Sequence, residues 1–121
     1  MPRSTSPKDI DAYLAVLRAR SASLSAIAPS PNTPDPLEGN ETDRIKFNNA
    51  VGQLALAHVM EATGFKKNGT DSLKREARSA LANVFGKHEK GHLLDDVTTA
   101  VAKAVAESIA EQKDLSKSVA R

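Results

Sequence analysis

His88-Glu89-Lys90-Gly91-His92 is the run in this 121-residue chain whose residue types and spacing match a catalytic pattern, H-E-x-x-H. On a helix, imidazoles four positions apart share one face and hold a zinc ion. The Glu between them then serves as general base toward a metal-bound water. His88 and His92 are therefore the metal-ligand candidates. The chemistry needs two further things, a helix beneath the string and a third ligand that reaches the same ion.

The string resembles the zincin metalloprotease motif. Glu111 follows His92 after 18 residues, a spacing similar to that of gluzincin aminopeptidases. The resemblance implies His88, His92 and Glu111 as ligands and Glu89 as base. The elements that must position them argue the other way. In those families the third ligand sits on a second helix that folds back on the first. Residues 93 to 114, LLDDVTTAVAKAVAESIAEQKD, contain no Gly or Pro to make that turn. As one helix they place Glu111 roughly 28 Å from His92, against a zinc–ligand bond of about 2 Å. Gly91 costs about 1 kcal/mol inside a helix and favours the left-handed position after a helix end. Lys90 puts a charge where the zincin pattern usually has none, and no histidine follows His92 to complete a metzincin set. The reading is no metal and no cofactor, with the string serving as a basic, solvated connection between two helices.

Ala57-His58-Val59-Met60-Glu61-Ala62 resembles the phosphoacceptor segment of histidine phosphotransfer domains, four-helix domains of similar size whose pattern is close to A-H-x-L-K-G. The resemblance implies a phosphoacceptor role for His58. Met60 and Ala62 stand in for Leu and Gly, but Glu61 replaces the Lys that would steady a phosphate, and its charge repels one. His58 also falls within the Phe47–Leu54–Ala62 face, which predicts a core histidine with a hydrogen-bond partner.

Composition bounds the rest. Aromatics are 3% of the chain and hydrophobic residues 40%, so any core is built from Leu, Val, Ile and Ala, which suits helices better than sheets. Cysteine is absent, which excludes a disulfide scaffold, a thiolate nucleophile and a Cys-bearing zinc site. No run approaches 18 apolar residues, and MPRSTSPKDID lacks the apolar core of a signal peptide, so a cytoplasmic protein without membrane association is expected.

Periodicity predicts four helices, at about 7–28, 41–63, 71–88 and 92–113. The first opens at Ser6-Pro7 and carries Ile10, Tyr13, Leu14, Leu17, Leu24 and Ile27 as one stripe. Residues 29–40, PSPNTPDPLEGN, hold four prolines and a glycine and form a loop. The second helix stops at Gly64 and has two apolar faces, one of Phe47, Val51, Leu54, Ala55 and Ala62 and one of Ile45, Gly52, Leu56 and Val59. Asn68-Gly69 punctuates a turn, and Thr70 or Asp71 caps the third helix, whose stripe is Leu73, Ala77, Ala80, Leu81, Val84 and Phe85. The fourth carries Val97, Val101, Val105 and Ile109 beside a line of Ala102, Ala106 and Ala110. Residues 114–121 read as a frayed tail.

The expected fold is all-α, a four-helix bundle-like single domain spanning 1–121 with a Pro-rich loop between helices 1 and 2. The expected function is a non-enzymatic protein-interaction or regulatory module that self-associates or binds a partner protein through Val97, Val101, Ala102, Val105, Ala106 and Ile109. The net charge of +2 is unevenly spread: residues 65–92 carry seven basic and three acidic side chains. That segment supplies the alternative, a nucleic-acid-binding accessory protein using Lys66, Lys67, Lys74, Arg75, Arg78, Lys87 and Lys90. A metal-dependent hydrolase or phosphotransfer domain ranks third, and no small-molecule substrate is inferred.

Overall fold

The computed structural model describes residues 11–64 and 67–119, with the side chains of 67, 68 and 115–119 outside the description. These residues form four α-helices and no strand: α1 (Ala12–Ile27), α2 (Glu41–Ala62), α3 (Lys67–Lys87) and α4 (Leu93–Val119). The architecture is an all-α, bundle-like arrangement. Among the described residues α1 packs on α4 and α2, α2 packs on α3, and α1 does not meet α3. The α3–α4 seam is the sparsest in the bundle. No helix in the described residues is long and apolar enough to cross a membrane.

Local chemistry sets the helix ends. Asp11 caps α1, its carboxylate accepting from the Tyr13 and Leu14 amides at 3.0 and 3.4 Å. Within the described residues α1 starts at Ala12; the start expected at Ser6-Pro7, and Ile10, lie outside them. Asn40 caps α2 through the Asp43 amide, and Gly64, at φ 100°, follows its end as its sequence position predicts. Asn68-Gly69 is not a turn, because α3 already begins at Lys67. Thr70 caps nothing. It is fully buried, and its hydroxyl donates to the Glu61 carboxylate at 3.0 Å, which holds the first turn of α3 against the end of α2. At the other end of the chain α4 continues as helix to Val119, past the expected end at Lys113, and residues 120–121 of the expected tail lie outside the described residues.

At the centre of the core Phe47 and Phe85 meet edge to face, with centroids 5.9 Å apart. Val51, Leu54, Leu81, Val84, Val97, Val101 and Val105 pack around them. The Pro-rich loop contributes Leu37, which is fully buried and which nothing in the loop's composition signals. Asp35 folds the loop over that plug: its carboxylate accepts from the Leu37 amide at 2.9 Å and pairs with Arg44. Burial raises the Asp35 carboxyl, and the bonds from Arg44 and the Leu37 amide outweigh it and hold the pKa below its ordinary value.

Helix α1 departs most from its predicted orientation. Its buried residues are Ala15, Ala19, Ser23 and Ile27. Tyr13, Leu14, Leu17 and Leu24 are exposed instead. The buried line recurs every four residues with small side chains and faces the bundle interior, where α1 meets α4 most extensively; α4 carries Ala104 and Ser108 among its own buried residues. Small residues on both helices permit close approach. Ser23 satisfies its hydroxyl within α1 by donating to the Ala19 carbonyl at 2.7 Å. Gln112 of α4 bonds the backbone of Asp11, and Arg18 pairs with Glu111.

Candidate functional site: an apolar face and a basic groove

The H-E-x-x-H string is a helix terminus. Helix α3 ends at Lys87, and the Lys90 and Glu89 amides donate back to the carbonyls of Phe85 and Gly86 at 2.8 and 3.2 Å. That pair of bonds is a Schellman closure, which requires a left-handed residue after the cap. The left-handed residue is Glu89, at φ 57°, and not Gly91. His88 and His92 therefore do not share a helical face. His88 Nε2 lies 2.8 Å from a carboxylate oxygen of the buried Asp43, and Lys87 reaches the other oxygen at 3.5 Å. The His88 hydrogen bond, helped by Lys87 and opposed by burial, holds the Asp43 carboxyl below its usual range. The contact ties the end of α3 to the start of α2. His92 is exposed in the connection, and Glu111 pairs with Arg18. Among the described residues no three His, Cys, Asp or Glu side chains converge as a metal site.

The interaction candidates on α4 divide by direction. Val97, Val101 and Val105 are enclosed in the chain's own core, Ile109 packs on its edge, Ala102 is half-buried and Ala106 is exposed. The valine line thus serves the fold, and the remaining surface of α4 is narrow. The two apolar faces read for α2 separate in the same way. Phe47, Val51, Leu54 and Ala55 are buried, Val59 joins them, and Ile45 and Leu56 are exposed, as is Ala62.

Among the described residues five of the six large exposed apolar side chains, all but Leu14, gather on one side. At 100° per residue Tyr13, Leu17, Arg20 and Leu24 fall within about 60° of arc on α1, and Asn48, Gly52, Ile45 and Leu56 within about 80° on α2. Arg20 joins the two arcs. Its Nε donates to the Asn48 carbonyl at 3.4 Å, and its guanidinium covers Gly52 so closely that a Cβ there would lie 3.0 Å from Nη2. The face therefore runs across the α1–α2 seam, with exposures from 41% at Leu17 and Leu24 to 68% at Tyr13.

Comparison with protein-family models, with curated proteins and with solved structures found no match. The residues alone carry the functional argument.

The basic segment is dispersed. Lys66 lies outside the described residues, as does the side chain of Lys67. Lys74 is paired with Glu61 at 2.9 Å and lies 3.8 Å from Asp71, and Lys87 is on Asp43. Arg75, Arg78 and Lys90 are exposed. Lys74 and Arg78 turn toward α4 and meet residues outside the basic segment. With Lys103, Thr98, Thr99 and Ala102 of α4 and Leu54 and His58 of α2 they line an open groove of about 620 Å³. His58 is thus neither sealed in the core nor fully presented: its side chain keeps a quarter of its surface. Burial, then the charge of Lys74, lower its pKa against the opposing pull of Glu61, whose carboxylate lies 3.8 Å away.

Sequence reasoning missed the α1–α2 face because it assigned the leucines of α1 to the core. The available signal was the second period in α1, Ala15, Ala19, Ser23 and Ile27, a continuous i,i+4 line of small residues ending in Ile.

Proposed function

We propose that this protein is a non-enzymatic helical interaction module that self-associates through the α1–α2 face. The observation that carries this reading is the stripe of Tyr13, Leu17, Leu24, Ile45 and Leu56, large apolar side chains left in solvent on one side of a folded bundle. Scattered exposed leucines need no explanation, but apolar residues gathered on one face are typical of association surfaces. The charged side chains within these arcs are Arg20, which is engaged with α2, and Glu41 of opposite sign at the start of α2, so two copies of the face meet without strong repulsion. Charge depletion at the centre is also how interface cores differ from other surfaces.

Full burial of such a side chain is worth about 1.5–3 kcal/mol, so covering the exposed half is worth about 1 kcal/mol. Five residues on each of two copies in a two-fold dimer contribute roughly 10 kcal/mol. The freedom lost on association costs roughly 4–15 kcal/mol. The dimer is therefore weak and concentration-dependent. Sedimentation velocity over a concentration series tests the reading. The wild-type chain is expected to shift from monomer toward dimer, and a Leu17→Glu, Leu56→Glu variant to stay monomeric with unchanged helicity. A wild-type chain that remains monomeric at millimolar concentration would refute self-association.

A further inference from the structure

We propose that the groove between α3 and α4, floored by α2, is a binding site for a small phosphate-bearing molecule. Its lining consists of Leu54, His58, Lys74, Arg78, Thr98, Thr99, Ala102 and Lys103. Every charged side chain in that set is cationic and no carboxylate is among them; the Thr98 hydroxyl donates to the Asp95 carbonyl at 3.1 Å, which leaves the Thr99 hydroxyl as the donor for a ligand. Such a set is complementary to an oxyanion and offers little to a cation.

The groove exists because of the same residues. α3 and α4 leave their hairpin in contact, since Phe85, Leu93 and Val97 are buried together in the core. Further along, α3 presents Lys74 and Arg78 to the seam, and α4 presents Thr98, Thr99 and Lys103. Like charges and hydroxyls supply no apolar knobs to close the gap, so the two helices share few contacts there and α2 is left as the floor. Glu61 neutralises Lys74 at 2.9 Å. Among the described residues Arg78 and Lys103 have no ion-pair partner, so two cations from opposite walls stay available to one ligand.

The apolar floor narrows the ligand class. Leu54 and Ala102 give the groove an apolar surface on which a carbon skeleton rests while its phosphate faces Arg78, Lys103 and Thr99. The volume lies within the range of small-molecule sites, roughly 300–1,000 Å³. It suits a phosphate monoester with a short organic body better than a bare ion. The groove opens to solvent, so binding is expected to be weak and to fall as salt rises. The site is independent of the α1–α2 face, and neither reading depends on the other.

The experiment is an NMR titration of the full chain with inorganic phosphate, phenyl phosphate, sodium benzoate and a short DNA duplex as separate arms. Expected are saturable shifts at the Arg78, Thr98 and Thr99 amides and the His58 ring, with phenyl phosphate binding several-fold more tightly than inorganic phosphate and benzoate weakest. Arg78→Ala and Lys103→Ala should each weaken phenyl phosphate about tenfold, as loss of a charge-assisted bond does, with the amide spectrum otherwise retained. Lys90→Ala, on the exposed connection outside the groove, should bind as wild type. Three results would overturn the proposal. One is shifts spread evenly over Arg75, Lys90 and the groove. Another is no saturation at tens of millimolar phenyl phosphate. The third is DNA binding through the same cations at concentrations where phenyl phosphate does not bind.

Discussion

The orientation of α1 is open to a paired substitution with opposite expectations for the two possible stripes. Ala19 is fully buried in the bundle interior, and Leu17, two residues earlier, is 41% exposed. Ala19→Leu forces extra carbons into a seam of small side chains, and overpacking of that kind costs about 1–3 kcal/mol. Leu17→Ala removes three carbons at about 0.8 kcal/mol each when fully buried. Three-fifths of that burial applies, which gives about 1.4 kcal/mol, with no cavity cost because the site opens to water. Had the leucines formed the inner stripe, Leu17→Ala would cost about 2–5 kcal/mol and Ala19→Leu would be nearly neutral. Thermal unfolding by circular dichroism separates the cases, at a dilution where light scattering shows monomer. Each kcal/mol corresponds to about 3–6 °C in a chain of this size. A melting temperature raised by Ala19→Leu together with a drop of more than about 10 °C for Leu17→Ala would refute the observed packing of α1.

Three further outcomes follow from the site geometry. Hydrogen bonds and cations hold the Asp43 and Glu61 carboxyls below their ordinary values, first His88 for Asp43 and first Lys74 for Glu61. Their stabilisation is therefore fully present above the usual carboxylate pKa of about 4 and is lost as pH falls through the lowered folded values. Melting temperature should drop steadily below that range, and Asp43→Asn should flatten the drop; an unchanged acid profile in the variant would remove the Asp43–His88 contact from the account. Glu89→Gly relieves a left-handed residue that costs a side chain about 1–2 kcal/mol, so the variant should melt several degrees higher, and a lower melting temperature would show that the Glu89 side chain has a compensating role. If the α1–α2 face associates, a hundredfold excess over the dissociation constant should stabilise the fold by about 2.7 kcal/mol, so wild-type melting temperature should rise with concentration while that of Leu17→Glu, Leu56→Glu stays flat.

The number of helices and most of their bounds were legible because the punctuation is strong. Four prolines break 29–40, Asn40 and Gly64 bracket α2, and the Val97–Val101–Val105 line marks the inner side of α4. The start of α3 was not, because Asn68-Gly69 reads locally as a turn. The bond from Thr70 to Glu61, which makes that segment helical against α2, is a tertiary contact. Leu37 is similar: a lone apolar residue among prolines has no period, and only the closed bundle provides the hole it fills. The basic groove was half visible. Lys74 and Arg78 stood out by charge, but Thr98, Thr99 and Lys103 read as the polar side of another helix, and their convergence depends on how α3 and α4 diverge.

The apolar face and the basic groove have a common origin in the small side chains of this chain. A core with few aromatics fills its volume with alanine and valine, and alanine fills it only where two helices come close. Helix α1 meets that condition by turning Ala15, Ala19 and Ser23 inward, toward the interior where it packs mainly on α4. A helix has one inward side, so its leucines are then left outside beside Ile45 and Leu56. On the other side of α4, beyond the contact through Phe85 and Val97, Ala102, Thr98 and Thr99 line the seam, again small, but Lys74 and Arg78, which are long and charged, line it from α3. Close approach is not available there, and the seam stays open. One helix, α4, thus packs tightly on α1 and loosely on α3. A large residue in the loose seam, such as Ala102→Leu, should accordingly be tolerated by the fold and felt only by whatever occupies the groove, in contrast to Ala19→Leu in the tight one.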